Sequence, residues 1–152
     1  MKIRVLLLTV AAVPLFVACA NTPSTPNAVT ATAIAPATLS IEAKEFSFSP
    51  AQTTVKVGQQ VEIAMKNAGV VEHDFTIEKI SLEGKATSHG DEHAMDSMSG
   101  VDPDTLPVHV AAEPSHTATV SFTPSEAGEY EFYCTVAGHK ASGMVGKLTV
   151  TP

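Results

Sequence analysis

Three residues in the C-terminal part of this 152-residue chain have the types and spacing to hold a soft metal ion. Cys134, His139 and Met144 follow one another at five-residue intervals in the stretch 128–147, GEYEFYCTVAGHKASGMVGK. A thiolate, an imidazole and a thioether so close together are ligands that copper favours, whereas structural zinc sites seldom use Met. Such a loop needs a fourth ligand from a distant part of the chain and a frame that holds it rigid. His73 is the candidate for the first requirement, and the strands around it for the second.

The frame reads as strands. Apolar residues alternate with polar ones at Leu39, Ile41 and Ala43, at Val55 and Val57, at Val61, Ile63 and Met65, and at Ala118, Val120 and Phe122. Leu148 and Val150 repeat the pattern at the end of the chain, and Gly58, Asn67-Ala68-Gly69 and Pro124 mark turns. Period-two patterning in so many short segments, with little helical periodicity, predicts an all-β sandwich. Strand parity places the ligands. Cys134 shares a face with Tyr130 and Phe132, and His73 shares one with Phe75 and Ile77, so both point inward at strand ends and can meet at one pole. Gly138 and Gly143 each precede a candidate ligand and give the loop backbone freedom. His73, Cys134 and His139 as strong ligands with a weak axial Met144 are the set of a blue-copper site.

The run GEYEFYC…H…GMVGKLTV resembles the C-terminal signature of plastocyanin and its cupredoxin relatives. CTVAGH, with four residues between Cys134 and His139, is closest to prokaryotic auracyanin-like and sulfocyanin-like members. The resemblance covers roughly 38–152. It implies a cupredoxin-like Greek-key β-sandwich with one type 1 copper on His73, Cys134, His139 and Met144, acting as an electron carrier and not an enzyme. It also implies two routes for electrons. One passes the edge of His139, ringed by Val136, Ala137 and Met144. The other passes Tyr133, which with Glu129 and Glu131 forms either an acidic docking patch for a basic redox protein such as a cytochrome or a plain solvated strand face. Many family members carry Asn after the first His, where this chain has Asp74. Two readings of Asp74 stand: a hydrogen bond from the Thr135 hydroxyl that ties the ligand loops together, or a solvated carboxylate on the outer face.

One region breaks the strand pattern. The segment 81–107 reads as a long polar insertion loop, with a short helix around 91–98. Its His89, His93, Met95 and Met98 form either a labile second copper site or an ordinary polar loop. His109 and His116 read as surface residues. The loop supports an alternative function, a periplasmic copper-handling chaperone or resistance protein. An enzyme is a third reading: a multicopper oxidase or nitrite reductase needs further copper sites, with more His, in a larger or oligomeric molecule, and a binuclear copper site needs a second Cys near Cys134, which the sequence lacks.

The N-terminus reads as an export signal. Lys2 and Arg4 precede an apolar run over 5–17, and LFVAC at 15–19 resembles a lipobox. The expected organisation is a signal peptide at 1–18, a lipidated Cys19 with a flexible tether through 37, and a globular domain at 38–152. An ordinary secretory signal is the alternative. The protein is then lipid-anchored, facing the periplasm or cell exterior, and monomeric. With Cys19 lipidated, Cys134 is the only thiol left, and a lone thiol in an oxidising compartment calls for a metal to protect it. Removal of 1–18 leaves seven Lys, no Arg and 16 acids, a formal charge of −9. That charge disfavours nucleic-acid binding.

Overall fold

The computed structural model describes residues 34–90, 102 and 105–152. The chain runs through β1 (Ala37–Lys44), β2 (Ser47–Ser49), β3 (Gln52–Lys56), β4 (Val61–Asn67) and β5 (His73–Ile77). It continues through β6 (Thr87–His89), β7 (Val108–Ala112), β8 (Thr117–Phe122), β9 (Gly128–Tyr133) and β10 (Val145–Thr151). No α-helix occurs among the described residues. Two five-stranded sheets form, in the orders β2-β1-β4-β8-β6 and β3-β10-β9-β5-β7. β1 lies parallel to β4 and β10 parallel to β3, and the remaining pairs are antiparallel.

The alternation in the sequence becomes the inner face of each sheet. Along β4 and β8, Val61 faces Phe122, Ile63 faces Val120 and Met65 faces Ala118, each pair buried. Phe75 and Phe132 stand in the opposite sheet with ring centroids 4.8 Å apart, and Phe48 from β2 packs edge-on against Phe132 at 5.3 Å. Phe75 is two residues from His73 and Phe132 two from Cys134, each on the same strand face. The candidate ligands therefore continue the aromatic core toward one end of the sandwich.

The segment expected as a polar loop is partly strand. Thr87–His89 pairs antiparallel with β8 as an edge strand, and Leu82 bridges to Pro124. All three β6 residues are polar and exposed. They carry no alternation to read, and only the unpaired edge of β8 makes them a strand. His89 is thus exposed on this edge. The helix expected at 91–98, with His93, Met95 and Met98, lies outside the described residues.

His109 is buried, not on the surface as expected, whereas His116 is exposed. Parity does point His109 away from the core face that Val108 and Val110 line. On that outer side His109 lines a pocket with Ile80, Leu82, Ala86, Ser88 and Leu106. The Ser88 hydroxyl donates to the His109 carbonyl at 2.6 Å, while His109 Nε2 has no hydrogen-bond partner among the described residues. Burial pushes its pKa down to about 4 from an ordinary 6.5. The unfolded chain therefore takes up a proton before the folded one does. Stability should fall by about 3 kcal/mol as pH drops from 6.5 to 4 through this group alone. Urea unfolding of the metal-free protein at pH 7 and pH 4 reads the loss, and His109→Gln should remove that increment.

Candidate metal centre

The pairing of β5 with β9 brings the first two ligands together. Thr76 is opposite Tyr133 in antiparallel register, and two residues further along Asp74 meets Thr135. The Thr135 amide donates to Asp74 Oδ1 at 2.8 Å, its hydroxyl donates to Oδ2, and the Thr76 hydroxyl donates to Oδ1 at 3.3 Å. Asp74 is fully buried, which overturns the solvated reading and leaves the tie between ligand loops. The reason is that β5 is covered on both faces. Burial raises the Asp74 pKa, and the Thr135 and Thr76 hydrogen bonds oppose that rise.

With this tie in place His73 and Cys134 share the inner face. Cys134 Sγ lies 3.9 Å from His73 Nδ1 and 3.3 Å from His139 Nδ1. One donor atom from each of the three residues falls within 4.8 Å of the others, and all three residues are buried. His139, 8% exposed, is the donor nearest solvent. Its ring centroid is 5.0 Å from that of His73.

The loop after Cys134 is held by its own backbone. His139 N–H donates to the Val136 carbonyl, Ser142 N–H to those of Gly138 and His139, and Gly143 N–H to that of Lys140. Met144 closes the loop: its amide donates to the His139 carbonyl at 3.0 Å and its carbonyl accepts from the Cys134 amide at 3.2 Å. Gly138 (φ 83°) and Gly143 (φ 98°) adopt the left-handed backbone that side chains resist. No atom would crowd a Cβ at either position, so the dihedral alone requires glycine there. Met144 is fully buried in the core cluster.

Three further residues frame the histidines, and the sequence did not mark them as functional. Asn67, fully buried at the end of β4, donates from Nδ2 to the Ala112 and Val71 carbonyls, each at 2.8 Å, and accepts from the Gly69 amide at 2.9 Å. It pins the loop that leads into His73 against β7. Glu45 and Phe46 form the two-residue turn between β1 and β2. Glu45 accepts from the Val70 amide at 2.6 Å. Phe46 holds φ at 65°, unusual for a bulky residue, and its ring meets His139 edge-on at 5.4 Å. Asn before Ala-Gly read only as a turn, and no periodicity marks a two-residue hairpin tip.

The surroundings of the two expected electron routes are now defined. Phe46, 47% exposed, is the apolar residue packed on His139. Of the expected ring, Ala137 is exposed and Val136 half-buried, but Met144 is too deep to contribute. Val70 and Val71 are exposed beside Gly69. On the other side, Tyr133 is covered rather than open. Lys140 Nζ sits 3.5 Å from its ring centroid and pairs with Glu131 at 2.7 Å, and the Tyr133 hydroxyl donates to Glu78 at 3.2 Å. Glu129 pairs with Lys147 at 2.9 Å. Both acids of the expected patch therefore carry a lysine.

The donor chemistry fits a copper ion. Burial pushes the Cys134 thiol up to about 12 and lowers both histidines, so the metal-free site is a thiol with two neutral imidazoles. Among the described residues no carboxylate joins the donor group. Two imidazoles, a thiolate and a thioether nearby suit copper, not calcium or magnesium. Loading Cu(II) at pH 7 must displace the thiol proton alone. About one proton per copper should be released, measured by calorimetry in buffers of different ionisation enthalpy. Apparent affinity should rise about tenfold per pH unit above 7. Cys134→Ser should abolish the release.

A two-sheet β-sandwich with a buried His–Cys–His cluster at one pole, closed by a Met-containing loop, defines the class as a mononuclear copper protein of the sandwich type. The profile of the Cupredoxin-like domain matches residues 9–150, and the chain belongs to that family. It is 38% identical over 104 residues to a copper-resistant cuproprotein, CopI, of Rubrivivax gelatinosus, an alignment covering 68% of this chain and 59% of that protein. The chain thus spans about three-fifths of that relative's length. It is 32% identical over 135 residues to CopI of Pseudomonas aeruginosa, covering 69% of this chain and 71% of the relative. Among solved structures it is similar to auracyanin A, a "blue" copper protein of Chloroflexus aurantiacus, with 28% identity and a TM-score of 0.54 over 76% of this chain and 99% of that one.

Proposed function

We propose that this chain is a membrane-tethered blue copper protein that carries single electrons between redox partners outside the cytoplasm, and that it is not an enzyme. The observation that carries the reading is the convergence of His73, Cys134 and His139 donors in one buried pocket. The likeness to a blue copper auracyanin supports it. Copper, when bound, supplies a one-electron couple. The chain's own residues hold the donors in place before the metal arrives: Asp74 and Thr135 lock the two strands, and the backbone bonds of 134–144 lock the loop. Donors fixed this way need little rearrangement between oxidation states. The edge of His139, with Phe46 packed on it, is the place for a redox protein or membrane electron-transfer complex to approach.

Titration with Cu(II) should give intense visible absorption saturating at one equivalent, and a reversible one-electron wave. Cys134→Ser should lose both while remaining folded by circular dichroism. A colourless copper-loaded protein with Cys134 still reduced overturns the reading. The proposed anchoring rests on the leader at 1–18, Cys19 and the charge-free tether that follows. Cys19→Ser should move the protein from the membrane to the soluble fraction.

A second reading, copper resistance, is favoured by the two CopI relatives. It expects ready loss of copper to a competing chelator, and loss of copper tolerance in cells when 89–98 is replaced by Gly and Ser. An electron carrier keeps its copper and is indifferent to that replacement.

A further inference from the structure

His73 Nε2 is fully buried and has no hydrogen-bond partner within normal reach among the described residues. A carboxylate oxygen, Glu45 Oε1, stands 3.8 Å from it. The approach is built from two directions. The hairpin tip between β1 and β2 delivers Glu45, and the Val70 amide holds its carboxylate at 2.6 Å. Gly69 keeps the space between them open: a Cβ there would lie 2.5 Å from Glu45 Oε1 and 2.8 Å from His73 Nε2. This glycine is needed for room, unlike the two glycines of the 134–144 loop, which are needed for their dihedrals. The hydrogen bonds of Asn67 in turn fix Gly69 and Val71.

We propose that Glu45 is a positioning residue for His73: its carboxylate faces Nε2, favours the proton on that nitrogen, and leaves Nδ1 turned toward Cys134 as the ligand atom. A carboxylate behind a metal-bound histidine orients the ring and raises its basicity. Its negative charge also favours the more highly charged metal state. The inference rests on the copper reading above and adds a group to it. Glu45 touches neither the metal position nor a redox partner in this role. It acts through His73.

Two measurements on the full-length chain test this, one of them without metal. In the copper-free protein the His73 Hε2 resonance should lie downfield, move upfield in Glu45→Gln, and move further in Glu45→Ala. In the copper-loaded protein Glu45→Gln should lower Cu(II) affinity relative to Cu(I) by roughly tenfold. For one electron that raises the midpoint potential by about 59 mV. Gly69→Ala, whose Cβ would crowd both Glu45 Oε1 and His73 Nε2, should also move the Hε2 resonance. An unmoved Hε2 resonance in both Glu45 variants, or an unchanged potential in Glu45→Gln with the visible band intact, overturns the proposal. If the wild type shows no visible band, the electron-transfer reading fails, and the copper-free resonance still decides the role of Glu45.

Discussion

The antiparallel contact between β5 and β9 is what the rest of the site depends on. Thr76 opposite Tyr133 sets the register, and Asp74 accepting from Thr135 continues it one step past the end of the ladder. Because side chains alternate, fixing Asp74 against Thr135 fixes the residues before each of them, His73 and Cys134, on the common inner face. A slip of one residue would turn both donors away from each other. The buried carboxylate makes the tie demanding as well as strong, since Asp74 must find all its partners inside the protein and does so on Thr135 and Thr76.

The remaining parts answer to that contact. The loop 134–144 starts from Cys134 and returns to it through the carbonyl of Met144, so its shape is inherited from the end of β9. The loop before His73 hangs on Asn67, which reaches across to β7. The hairpin tip between β1 and β2 brings Glu45 to one histidine and Phe46 to the other. Three separate chain segments thus meet at one pole, and each is held through backbone amides or carbonyls. Burial then sets the chemistry. It keeps the thiol protonated and the imidazoles neutral in the metal-free state, which couples metal loading to loss of a proton.

The charge of the molecule is distributed less simply than its composition suggests. The chain is acidic, yet Glu129 and Glu131 beside the site are each paired with a lysine, and Lys140 also lies over Tyr133. The side of the protein next to Cys134 is therefore a mixed, covered surface. The edge of His139 is the more apolar one.

The sequence by itself determined the sandwich and the donors. Period-two alternation is a local signal that survives without neighbours, and Cys134, His139 and Met144 sit close enough in the chain for spacing to be read. Strand parity also carried His73 and Cys134 to the inside. The tertiary structure alone decided which faces are covered. Asp74 and His109 both occupy outer-face positions by parity and both are buried, because β5 and β7 are packed on two sides. Thr87–His89 is a strand only because β8 has an edge to offer. Glu45, Phe46, Asn67 and Gly69 matter through contacts with residues distant in the chain or through the space they leave. A residue's type and spacing show what it can bind, but which atoms approach it depends on non-local packing, which leaves no periodic trace in the sequence.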